Sequence, residues 1–220
     1  MEIGIIGAGH IGGNCARQAV RAGHRVVLSF ARDQSGLRAL AGELGADASV
    51  GTPAQAVEFG ELVVLSVPWG AIPEALEQAG SLAGKVVIDT TNQFGAGPMP
   101  ADGQTAASFN AARMPGARYV KSFNTLTSRF QEQAAGRAGD ERIVQWICGE
   151  DAEAKRLVAG LIDDMGYVAV DVGSTAACAV MEAPRRPGAV YGEEYRLADA
   201  QAVLEALREG RAIPPAPSYP

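Results

Sequence analysis

Short runs of consecutive apolar, often β-branched residues alternate along the chain with longer stretches whose apolar positions return every three or four residues. The runs predict strands at 3–6, 25–29, 61–67, 85–89, 118–123, 142–148 and 167–172, with a weak one at 48–50. Several lack polar alternation, as strands covered on both faces do. The amphipathic stretches predict helices at 11–22, 35–44, 53–59, 71–79, 105–114 and 152–165. Strands alternating with helices imply right-handed crossovers and a parallel sheet, so the expected fold is α/β, a doubly wound Rossmann-type, mostly parallel sheet.

Local signals punctuate this order. Pro53 follows Thr52 where a helix tolerates a first-turn proline, Gly23 is placed to stop the first helix, and Asp151 can cap the helix opening at Ala152. The Gly/Pro-dense stretch 95–103 reads as a long loop. Past Val172 the strand rhythm ends, leaving helices at 175–182 and 197–209 and a proline-rich run at 214–220. The chain is therefore expected to divide into a nucleotide-binding domain at 1–173 and a small C-terminal helical extension with an extended arm at 174–220. Proline bars the run from helix and central strand, so it is either a frayed terminus or a segment packed on something else. In the second case Tyr191, Tyr195 and the helix at 197–209, apolar at Leu197, Ala200, Val203, Leu204 and Leu207, would pack across a dimer partner and wall a second pocket.

With 220 residues, 47% hydrophobic and 20% charged, the chain is globular rather than disordered. Its net charge of −6 argues against nucleic-acid or anionic-membrane surfaces. Cys15, Cys148 and Cys178 form no CxxC and no metal-type spacing, so reduced thiols, no metal site and a cytoplasmic location are expected. No basic leader precedes the first strand, and no apolar run approaches the roughly 20 residues of a membrane helix.

The first strand leads directly into Gly7-Ala8-Gly9-His10-Ile11-Gly12, which opens a helix. In a strand–turn–helix setting each glycine of GxGxxG plays its own part. The first makes the tight turn, the second admits a pyrophosphate, and the third lets helix and strand pack closely. The helix N-terminus adds unpaired N–H groups and a partial positive charge. Gly7, Gly9, His10, Ile11 and Gly12 are thus expected to hold a dinucleotide through their backbone. At the end of the second strand, where NAD sites place an acid, the chain reads Ser29-Phe30-Ala31-Arg32. Arg32 is either a solvated loop residue or a partner for a 2′-phosphate, and the second reading favours NADP(H). The neighbouring Asp33 is placed to neutralise part of that pocket.

Three more strand ends are polar: Ser66-Val67-Pro68-Trp69, Asp89-Thr90-Thr91-Asn92 and Lys121-Ser122-Phe123-Asn124. Ligands in doubly wound sheets lie at this edge, so Ser66, Pro68, Trp69 and Asn92 are expected to border a nicotinamide. Asn92 also suits a turn, and Trp69 suits the core equally well. Acid–base candidates are few. His10 and His24 are poorly placed, no Tyr is followed four positions later by Lys, and Lys121 is the single plausible proton donor unless it snorkels to the surface.

Together these motifs, with Cys148-Gly149-Glu150-Asp151 opening a late helix, resemble the NADP-dependent reductases of the deazaflavin (factor 420) type and related dinucleotide-binding oxidoreductases. The resemblance runs over about residues 2–173. It implies an NADP(H)-binding domain, a C-terminal part shaping a second pocket, a homodimer, and direct hydride transfer with a deazaflavin or flavin as second substrate. Ala31-Arg32 replaces the family's Ser-Arg pair, and the tail around Pro184-Arg185-Arg186-Pro187 differs from the family's hydrophobic C-terminal helices. The expected function is hydride transfer between NADP(H) and a small organic acceptor. Alternatives are a carbonyl or imine reductase drawing its proton from Lys121 or water, and a non-catalytic NADP(H) sensor.

Overall fold

Six parallel strands form one sheet in the order β3-β2-β1-β4-β5-β6, in a computed structural model that describes residues 1–219. The strands are β1 (Glu2–Ile6), β2 (Arg25–Ser29), β3 (Ala48–Val50), β4 (Leu62–Leu65), β5 (Val86–Asp89) and β6 (Arg118–Lys121). Helices α1 (His10–Arg21), α2 (Gln34–Leu44), α3 (Pro53–Phe59), α4 (Ile72–Ala79) and α5 (Ala106–Ala112) connect them. The strand order reverses between β1 and β4, which opens a crevice at the carboxyl edge of the sheet. A parallel pair, β7 (Val144–Ile147) and β8 (Val168–Asp171), is joined by α7 (Ala152–Asp164) and tied to β6 by an antiparallel bridge between Lys121 and Cys148.

Side chains alternate across the central strands because the strand period is two. Ile3, Ile5, Leu62 and Val64 pack on one face with residues of α1, α2 and α7, while Ile6, Val63 and Leu65 pack on the other with α3, α4 and the C-terminal segment. Both faces are covered, so the near-continuous apolar runs are explained by burial from two sides. Thr52 and Gln55 close a reciprocal capping box on α3, and Asp151 caps α7 as expected.

Some expectations shift. The strands at 61–67 and 118–123 end two residues early, at Leu65 and Lys121, because the following residues turn across the sheet edge. The segment expected as a helix at 175–182 is a 3-10 helix, Thr175–Met181. A helix that the periodicity did not reveal, α6 (Ser128–Ala134), follows β6 and is capped by the Thr127 hydroxyl, which accepts the Phe130 N–H.

The C-terminal segment folds onto its own chain. In α8 (Leu197–Arg208), Ala200, Val203 and Ala206 are fully buried, and Ala200 and Val203 share a core cluster with Val144, Trp146 and Val170 of the β7–β8 unit. Of the apolar face expected to need a dimer partner, Ala200 and Val203 are thus covered within the chain, Leu204 and Leu207 are half-buried, and Leu197 is exposed. The arm is not frayed: the Tyr219 hydroxyl donates to Asp199 at 2.6 Å and accepts from the Arg196 N–H at 2.9 Å. Pro220, the last residue of the expected arm, lies outside the described residues. Among the described residues no helix is long and apolar enough to cross a membrane.

Candidate active site

The loop between β1 and α1 is built by two glycines and left open at a third. At Gly7, with φ of +97°, a Cβ would stand 2.3 Å from the Ser66 carbonyl oxygen, and at Gly12 it would stand 2.0 Å from the Gly7 carbonyl oxygen. Neither position admits a side chain. At Gly9 a Cβ would meet nothing within 4 Å, so packing does not demand glycine there. Gly9 is the N-cap of α1 and brings no side-chain cap, and the first turn carries no acid. The N-terminal N–H groups of α1 thus face the crevice without a side-chain partner, as anion-binding helix starts do.

Arg32 lies exposed beyond the end of β2, with no ion pair among the described residues. Asp33 keeps its negative charge, but it turns to the start of α2 and forms no ion pair with Arg32 among the described residues. Asp33 Oδ1 accepts the Ser35 and Gly36 N–H groups and the Ser35 hydroxyl, so the carboxylate is engaged in capping α2. The Ser35 and Gly36 hydrogen bonds hold its carboxyl below the ordinary range. Phe30, between β2 and Arg32, has a φ of +52° and Phe123, past β6, one of +57°. Both are left-handed non-glycine residues, a strain that collects at ligand edges.

A cavity of about 600 Å³ opens at the carboxyl edge, within the size range of small-ligand sites. Its floor includes Ile11, Thr90, Asn92 and Asn124, and its far wall is Tyr191 and Gly192 of the C-terminal segment. Asn92 Nδ2 donates to the Asn124 carbonyl oxygen at 2.8 Å, and Asn124 Nδ2 returns a bond to Asn92 Oδ1 at 3.1 Å. Asn124 Nδ2 also donates to the Met181 carbonyl, joining two strand ends to the C-terminal segment. Ser66 stands next to this floor, its hydroxyl accepting from Thr90 Oγ1 at 2.9 Å.

The structure thus brings Ile11 and Asn92 into the cavity, with Ser66 linked through Thr90, while Pro68 is exposed nearby. Two expectations need correction. Trp69 is in the core, not in a pocket wall: its side chain is buried, stacks on Phe109 with centroids 5.9 Å apart, and donates Nε1–H to the Pro98 carbonyl. Lys121 neither snorkels nor faces the cavity. It is fully buried, its Nζ donating to the Thr91 carbonyl at 2.6 Å and lying 3.5 Å from Asp89 Oδ2. Burial pushes this amine down, but the Asp89 carboxylate, with Cys178, Glu182 and Cys148 adding to it, leaves it above its ordinary value. Buried on the Thr91 carbonyl and absent from the cavity lining, Lys121 is not placed as the expected proton donor would be. Of the wall residues, Phe94, Leu126 and Phe130 escaped the reading of the sequence. Phe94 lies in a polar loop, Leu126 just before the unexpected α6 and Phe130 within it, so periodicity marked none of them.

Comparison with known proteins matches residues 2–93 to the family described as NADP oxidoreductase, coenzyme F420-dependent. The metalloreductase STEAP3 of Rattus norvegicus is 29% identical over 182 residues, which is 83% of this chain and 36% of the relative. The chain thus spans little more than a third of that relative's length. A hypothetical protein from Sinorhizobium meliloti superposes with a TM-score of 0.78 at 25% identity, covering 89% of this chain and 95% of that one. A structure provisionally described as an F420-dependent NADP reductase from Arthrobacter sp. FB24 gives a TM-score of 0.67 at 25% identity, covering 80% and 86%. A reductive aminase from Aspergillus terreus, solved with NADPH and ethyl levulinate, gives 0.59 at 25% identity, covering 81% of this chain and 56% of that one. The matched stretch, residues 2–93, carries the phosphate loop and the first strand ends, and over it the chain is similar to the coenzyme F420-dependent NADP oxidoreductases that its motifs resemble.

Proposed function

We propose that the protein binds NADP(H) and passes hydride between the nicotinamide and a neutral or flavin-like organic acceptor held in the 600 Å³ cavity. The observation that carries this reading is the loop in which Gly7 and Gly12 are sterically obligatory and Gly9 is not. The space a Gly9 side chain would fill is the space a pyrophosphate needs, beside N–H groups that have no side-chain cap. Gly7, Gly9, His10, Ile11 and Gly12 would hold the pyrophosphate, Arg32 the 2′-phosphate, and Ser66, Pro68 and Asn92 the nicotinamide end. Bound there, the cofactor supplies or takes the hydride. The chain's own contribution is to place the acceptor at the sheet edge and keep water from it, which is most of what direct transfer needs.

Two acceptor classes have support. The family description points to a deazaflavin or flavin. The likeness to a reductive aminase points to carbonyl or imine reduction, although no longer through Lys121. The test is a titration of NADPH and NADH followed by NADPH oxidation against deazaflavin, flavin, quinone, ketone and imine. Arg32→Ala should weaken NADPH about tenfold or more and leave NADH nearly unchanged, since a charge-assisted contact contributes about 1.5–3 kcal/mol. Equal losses for both cofactors would remove Arg32 from the phosphate site. Tight NADPH binding with no turnover on any acceptor would point to a sensor.

A further inference from the structure

The charged side chains around the cavity are paired with one another. Arg185 Nε donates to Glu193 Oε1 at 2.5 Å, and Arg137 Nη1 donates to Glu194 Oε1 at 2.6 Å, with Arg196 Nε 3.8 Å from the same oxygen. The apolar part of the wall is Ile11, Phe94, Phe123, Leu126 and Phe130. Such a cavity offers no unpaired charge to balance an ionic acceptor and suits a neutral one.

Its polar groups are mostly engaged as well. Thr90 bonds Ser66, Asn92 and Asn124 bond each other, and the Thr127 hydroxyl caps α6. Asn124 Oδ1 and the Thr125 hydroxyl have no partner among the described residues, but an amide oxygen cannot donate and an aliphatic hydroxyl is a far weaker acid than the phenol of Tyr191. Burial alone raises its phenol above the ordinary value, with no hydrogen-bond partner contributing, so it carries its proton at neutral pH. The ring is held in place from two sides. The Gly192 N–H donates to the Thr125 carbonyl at 2.8 Å, docking the segment on the end of β6, and the Tyr191 ring meets Phe94 edge-on with centroids 6.3 Å apart.

We infer that the acceptor is a neutral compound reduced at a C=N or C=O bond, and that the Tyr191 hydroxyl supplies the proton. This rests on the NADP(H) reading above. The carbon of the double bond gains the hydride pair, the π electrons move to nitrogen or oxygen, and that atom takes the Tyr191 proton. NADPH is the two-electron reductant, and the phenolate left behind regains its proton from water.

The test uses the full chain and Tyr191→Phe. NADPH affinity is read from nicotinamide fluorescence, turnover from cyclohexanone, benzaldehyde and N-benzylidenemethylamine, and carbonyl recognition from calorimetric binding of caprolactam, an unreactive carbonyl compound, in the presence of NADP+. The variant should bind NADPH within about twofold of the parent while turnover falls by about 10²-fold or more, the range of a lost general acid. Its caprolactam affinity should fall about threefold to tenfold, as for one lost hydrogen bond. Unchanged turnover and caprolactam binding would overturn the role of Tyr191, as would loss of NADPH binding by the variant. A parent that binds NADPH but reduces none of the probes would overturn the acceptor class alone. A parent that does not bind NADPH would overturn the cofactor reading beneath it.

Discussion

At the scale of single residues, three glycines of one motif are glycine for different reasons. Adding a Cβ at Gly12 drives it into the Gly7 carbonyl at 2.0 Å, and at Gly7 the positive φ and the Ser66 backbone forbid it independently. A substitution at either position should cost the fold itself. Gly9 has open space around it, so Gly9→Val should fold with near-parental stability and fail to bind NADPH or NADH. A thermal melt and a fluorescence titration on the same sample check both halves. A folded Gly9→Val protein that keeps its affinity would reduce the loop to a turn. The glycine spacing was legible in the sequence because backbone sterics dictate it locally. The state of Lys121 was not, because a lysine three residues into a strand looks the same whether its partner is water or a carboxylate on the neighbouring strand.

At the scale of elements, that carboxylate is the tie between β5 and β6. Asp89 and Lys121 are register partners, both fully buried. Asp89 Oδ2 also accepts from the Tyr119 hydroxyl at 2.6 Å and Asn110 Nδ2 at 2.8 Å, and Oδ1 accepts the Thr91 N–H. With Lys121 on the Thr91 carbonyl, the pair grips both backbone groups of Thr91, between the cavity residues Thr90 and Asn92. Burial pushes the Asp89 carboxyl up, but the Lys121 charge and these hydrogen bonds override burial and hold it below its ordinary value. A depressed acid contributes stability that is present above its unfolded pKa of about 3.9 and lost as pH falls through the lower folded value. Lys121→Met strips away the compensating charge and should cost about 3–5 kcal/mol, the usual penalty for an unpaired buried ion. It should also reverse the sign. Burial then lifts the folded Asp89 above its unfolded value, so acidification toward pH ~5 should recover stability relative to the parent. Urea melts across that pH range decide the matter, and a parallel pH dependence in both proteins would mean that the pair is not coupled. The same scale explains the unseen α6. Its short apolar face is Phe130 and Ala134, too few positions for a period, and its inward Gln131 reads as polar although it is fully buried.

At the scale of the whole molecule, the C-terminal segment closes both the cavity and the core. The Tyr195 carbonyl accepts the Val144 N–H at 2.8 Å, its ring packs edge-on against Trp146 at 5.3 Å, and Glu182 accepts the Ala106 and Ala107 N–H groups at the start of α5. Val190, Tyr195, Ala200 and Val203 all belong to the cluster that backs β7 and β8. Full burial of a Val-sized side chain contributes about 1.5–3 kcal/mol, so losing several at once approaches the whole 5–15 kcal/mol that holds a typical domain together. Deleting residues 184–220 should therefore leave a chain that does not fold cooperatively, rather than one that keeps NADPH and loses only the acceptor. Deleting residues 212–220 removes the Tyr219 bonds to Asp199 and Arg196, the stacking of Arg196 on the Tyr219 ring and the half-buried Ile213, and should cost about 2–4 kcal/mol. That shorter protein should bind NADPH as the full chain does, because none of the described residues removed lines the cavity. Chemical denaturation and NADPH titration of the two truncations separate these outcomes. If residues 1–183 alone unfold cooperatively and bind NADPH with unchanged affinity, the C-terminal segment is an appendage to the core, and Tyr191 is a residue the nucleotide domain can do without.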